Sequence, residues 1–115
     1  MTAALAGVTI VTPDLDRAVA EYGTWLGYRG DAIETVGARR AVLWEAPAAA
    51  SARMIELRPE SGEARFLRLI EGKPAPGFRP LLTPGWAAAE ILVRDPEALA
   101  QRLADSPFRI IGPPA

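Results

Sequence analysis

Residues 7–30 read GVTIVTPDLDRAVAEYGTWLGYRG, and the order of signals within them sets the expectation for the fold. The β-branched run at 6–12 (AGVTIVT), ended by Pro13, reads as a buried strand. Asp14 supplies an N-cap carboxylate. From there Leu15, Ala18, Val19, Tyr22, Trp25 and Leu26 recur at helical spacing until Gly27 stops them. The opening unit is a strand followed by an amphipathic helix, with Trp25 expected in the core.

Beyond it, 28–36 is a weaker strand, because Gly30 and Asp31 interrupt it and only Ala32, Ile33 and Val36 are clearly apolar. The spacing of Ala38, Ala41, Val42 and Trp44 fits a short helix better than a strand, with Pro47 as the stop. Residues 47–52 are small-residue filler, either a plain surface connection or a loop over a pocket. The runs 52–57 (ARMIEL) and 65–70 (RFLRLI), joined by a turn-rich 59–63, read as a β-hairpin. In its second strand Phe66 and Ile70 share one face, Leu67 and Leu69 the other, and Met54 is core filling. Residues 72–85 hold four of the eleven prolines and read as an extended linker. After it the opening order returns: a strand at 87–93, Asp95 as N-cap, Pro96 as first helical residue, an apolar stripe of Leu99, Ala100 and Leu103, and a strand at 108–111.

The composition narrows the chemistry. The 115 residues suffice for one globular core, and 13 basic against 14 acidic side chains leave a net charge of -1, with no drive toward nucleic acid or anionic lipid. Basic charge comes from twelve scattered Arg and the single Lys73. With no Cys and no His, thiolate and imidazole chemistry is excluded, leaving carboxylates, Arg, Lys, Tyr and hydroxyls. No Gly-rich phosphate loop follows a strand, and Ser51, Ser61 and Ser106 have no His or neighbouring Lys to activate them. Without a signal segment or a membrane-length apolar run, a cytoplasmic protein is expected.

The stretch 7–30 resembles the opening of vicinal oxygen chelate proteins, the glyoxalase, bleomycin-resistance and extradiol-dioxygenase superfamily. Asp14, Leu15, Asp16, Tyr22, Leu26, Gly27 and Tyr28 fill the places of its Asp-Leu-Asp cap, helical Tyr and Leu-Gly-aromatic exit. Residues 87–114 look like the start of a second module, with Asp95 in the cap position. The resemblance implies an α+β fold: a glyoxalase-like β-α-β-β-β module over 1–72, a linker over 73–86 and a partial β-α-β module over 87–115. A mixed, curved sheet would form a cup around a small molecule. The family's metal-ligand positions fall on Gly7, Ala88 and Glu71, or on Glu56 if the strand count shifts by one. Gly and Ala cannot ligate through a side chain and a divalent ion needs three or four ligands. No cofactor is therefore expected, and a metal only if other chains supply ligands.

Within such a cup Glu71 is the candidate catalytic base or ligand anchor, the alternative being a strand-end carboxylate in solvent. Arg53, Phe66, Arg68, Trp44 and Trp86 are the candidate ligand-binding residues. Arg68 shares its alternation class with Phe66 and, if that face lines the cup, would pair a ligand carboxylate or phosphate; otherwise it points to solvent or salts to Glu56 on the neighbouring strand. Trp44 and Trp86 are pocket walls, packing residues or dimer contacts. The expected function is a metal-free binder of a small molecule. The alternatives are a lyase, isomerase or dioxygenase completed by a partner chain or by residues beyond 115, and a truncated structural module. An incomplete second module would leave a sheet edge open, so a homodimer is expected.

Overall fold

A computed structural model describes residues 5–85 and 88–114. The chain divides into two compact units, Met1–Phe78 and Arg79–Ala115, at a point inside the Pro- and Gly-rich stretch.

The first unit is built as α+β. Strand β1 (Gly7–Thr12) leads into helix α1 (Leu15–Leu26), followed by the two-residue strands β2 (Tyr28–Arg29) and β3 (Glu34–Thr35), helix α2 (Ala38–Leu43), and strands β4 (Arg53–Pro59) and β5 (Phe66–Glu71). The sheet is mixed, with order β1-β5-β4-β2 and β3 also on β4; it does not close into a barrel. β1 runs parallel to β5, and every other pair is antiparallel.

α1 begins and ends where its sequence signals lie. Asp14 accepts a hydrogen bond from the Arg17 amide, and Gly27 adopts the left-handed conformation (φ 68°) with its amide bonded back into the last turn. α1 packs Leu15 and Ala18 on Ile55, Leu57 and Leu69 of the sheet, with Ile10, Val19, Tyr22 and Tyr28 around them. Burying each such Leu contributes roughly 1.5–3 kcal/mol. Trp25 is only half-buried and lies outside this cluster, a correction to its expected core place; an indole is too large to be enclosed by a single helix–sheet layer.

The opposite sheet face carries a second cluster of Val36, Ala41, Met54 and Ile70, closed by Trp44, Ala49 and Ala52. Met54 is fully buried. The 47–52 segment is thus no plain surface connection, since its short 3-10 turn over Pro47–Ala49 lies against this core. At the end of α2, Glu45 takes a left-handed conformation (φ 54°) usually left to glycine.

Strand 28–35 is split by a slip in register. Tyr28 and Arg29 pair with Pro59 and Arg58, but Glu34 and Thr35 pair with Met54 and Arg53. Four residues (30–33) therefore lie opposite three (55–57), which is a β-bulge. Gly30 sits in it because a Cβ there would meet the Glu56 carbonyl oxygen and the Ile55 side chain.

In the second unit, helix α3 (Pro96–Leu103) repeats the cap of α1: Asp95 accepts from the Ala98 amide at 3.1 Å, as Asp14 does from Arg17. The strands expected at 87–93 and 108–111 do not form among the described residues, and Ala87 lies outside them. A strand exists only with a hydrogen-bonded neighbour, and here Leu92 and Ile111 are exposed and no ladder runs beside them. None of the described residues of this unit is buried.

Candidate functional site

Alternation along the central hairpin sorts its charged side chains onto two faces. Register pairs Met54 with Ile70, Glu56 with Arg68 and Leu57 with Leu67. Even-numbered residues of β4 and β5 consequently point away from α1, and odd-numbered ones toward it.

Glu71 is on the α1 side. Its carboxylate accepts from the Leu15 amide at 3.0 Å and from Arg53 at 3.3 Å, so it tethers the first turn of α1 to the sheet. Arg53 joins it there and also holds Asp16 at 2.8 Å. The hydrogen bond from Arg53 holds the Asp16 carboxyl below its ordinary range, and Asp16 in turn raises Arg53. Glu71 and Arg53 therefore do not share a face with Arg68, which corrects the expectation that they line one cup. Strand parity, which a single-residue offset reverses, separates them.

Arg68, Phe66 and Trp44 do come together, on the face turned away from α1. The Arg68 guanidinium carbon lies 4.7 Å from the Trp44 ring centroid and 5.1 Å from that of Phe66. Its Nη2 donates to Glu56 Oε2 at 3.0 Å and its Nη1 to Thr9 at 3.4 Å, so of the alternatives for Arg68 the pairing to Glu56 is present. Nε is buried and has no hydrogen-bond acceptor among the described residues. Arg58 lies over the other side of the cluster, 5.1 Å from the Phe66 centroid and 3.7 Å from Glu56 Oε1. Arg40 lies 5.7 Å from Trp44 and donates to the Met54 sulfur. The result is an alternating row of guanidinium and ring, Arg58, Phe66, Arg68, Trp44, Arg40, with Glu56 bridging two of the cations. Beside it the bulge leaves a depression of about 280 Å³ between Arg29, Gly30, Asp31, Glu56, Arg58 and Glu60.

Arg58 and Arg40 were not among the residues singled out from sequence. Arg58 was within reach, since it is two residues from Glu56 on a strand; Arg40 depends on how α2 folds over the sheet. Trp86 lies outside the described residues.

The positions considered for a divalent metal do not fit one. A Cβ at Gly7 would collide with the Phe66 ring, Ala88 has no donor, and Glu71 is held by Arg53 and a helix amide on the other face from Glu56. Among the described residues no three carboxylates converge.

No protein-family model matches the sequence, and no curated protein matches it. Among solved structures, that of UcmS2 is similar: the TM-score is 0.59 over 100% of this chain and 83% of that one, at 19% identity, a likeness of fold. Among the described residues, no helix is long and apolar enough to cross a membrane.

Proposed function

We propose that the chain is a glyoxalase/bleomycin-resistance-like domain of vicinal-oxygen-chelate type that binds a small molecule on the sheet face remote from α1, in the cytoplasm and without the family's metal. The observation that carries this reading is the cluster of Arg68 with Phe66 and Trp44, a cation set between two rings on a face whose far end is closed by a packed core. Supporting it, β1 lies parallel beside β5 with β4 and the split strand beyond, the strand arrangement of a β-α-β-β-β module. The Phe66 ring fills the space where a ligating side chain at position 7 would stand. Glu71 acts in this reading as a tether for α1, and the domain sequesters its ligand rather than transforming it.

Titration calorimetry of the full chain with a panel of neutral and anionic aromatic probes tests this. Binding heat that falls at least about tenfold in affinity in Trp44→Ala is expected. No heat from any probe overturns it, and one transition metal per chain in the purified protein overturns its metal-free form.

A homodimer is the second part of the proposal. β1 is an edge strand of the sheet, with one side free to pair among the described residues.

A further inference from the structure

Glu56 is placed as a ligand's acid group would be. Its two oxygens go to two different guanidiniums, Oε2 to Arg68 at 3.0 Å and Oε1 to Arg58 at 3.7 Å, so the space between these cations is already shown to hold a carboxylate. One carboxylate against two guanidiniums leaves the clamp with a positive charge, and Arg68 still has an Nε donor without an acceptor. The Phe66 ring sits 5.1 Å from each guanidinium carbon, an apolar neighbour of both charges. Glu56 is about a third exposed and its side chain can turn to water, while the more buried Arg68 that it leaves takes the incoming acid group as its new partner.

Resting on the reading that this face binds a small molecule, we infer that its ligand is a small planar aromatic carboxylate, and that Glu56 is a resident occupant which the ligand's acid group displaces from Arg68 and Arg58. Glu56 thereby sets affinity: it keeps the two cations apart from weaker anions and yields only to a carboxylate that also stacks.

The test uses benzoate, its neutral isostere benzamide, and acetate, titrated into the wild-type chain, Glu56→Gln, Arg68→Met and Glu63→Gln. Glu63→Gln makes the same charge change where Arg65 is the partner. The expected result is that Glu56→Gln binds benzoate about tenfold more tightly than wild type, while Glu63→Gln changes it by less than about twofold, exposed charges being screened. Arg68→Met should lose benzoate, and acetate should bind more weakly than benzoate throughout. Equal benzoate affinity in wild type and Glu56→Gln, or an equal gain in Glu63→Gln, overturns the inference. Benzamide binding without benzoate binding overturns it too, yet leaves the small-molecule reading standing; silence from the wider aromatic panel removes both. Should Glu56→Gln not fold, the wild type decides: benzoate is expected to shift the Nε–H resonances of Arg58 and Arg68 more than those of Arg29 and Arg65, and equal shifts overturn it.

Discussion

Arg53 holds two carboxylates from two elements, Asp16 at 2.8 Å on α1 and Glu71 at 3.3 Å on β5, and through them ties the helix to the sheet. Because the Asp16 pKa is lowered in the folded chain, chiefly by its hydrogen bond to Arg53, folding favours its ionised form. The stability it contributes is full above the unfolded value of about 3.9 and disappears as pH falls through the lower folded value. Asp16→Asn is therefore expected to lower the urea midpoint at neutral pH and to flatten its decline between about pH 5 and 2. Urea titrations at a series of pH values check this; an unchanged acid slope would show that the pair adds nothing. At the same scale, Glu71 and Arg68 stand three positions apart on one strand, so alternation alone puts them on opposite faces, and what the tertiary structure adds is the partner of Glu71, the Leu15 amide.

At the scale of elements, the local signals were dependable. α1 starts after Asp14 and stops at Gly27 as capping chemistry requires, α2 forms over the segment whose spacing favoured a helix, and β4 and β5 pair as a hairpin. Gly30 and Asp31 marked the weak strand, and the structure adds the reason, a bulge of one residue against β4. Gly30→Ala would place a methyl against the Glu56 backbone carbonyl, which cannot swing aside as a side chain can. It is expected to destabilise by about 1–3 kcal/mol, read as a lower urea midpoint. A midpoint equal to wild type would mean that the bulge relaxes freely. The second copy of the strand–cap–helix order was legible only in its cap and helix, since a strand needs a partner that no sequence window contains.

For the whole molecule, the division of labour between the units is uneven. Among the described residues, all of the buried apolar ones belong to the first unit and none to the second. The proposed homodimer follows at this scale, from the β1 edge and from the apolar residues such as Leu92 and Ile111 left exposed. Light scattering across a concentration series should give about twice the chain mass of 12.3 kDa. A chain-mass value at every concentration would reject the dimer.

What the sequence alone determined lies within the reach of near neighbours: helix limits written in Asp14, Gly27, Asp95 and Pro96, the hairpin, the interrupted strand, and the absence of thiol and imidazole chemistry. Tertiary structure decided which charges meet. Strand side chains alternate every residue, which already sets Phe66 and Arg68 on one face and Glu71 on the other, and register then brought Arg58 and Glu56 of β4 beside the first pair and Arg53 beside Glu71. Trp44 joined Phe66 and Arg68 because α2 folds onto their face. Those contacts join residues up to 59 positions apart, as in Thr9 and Arg68, and no local pattern encodes a hydrogen bond of that span.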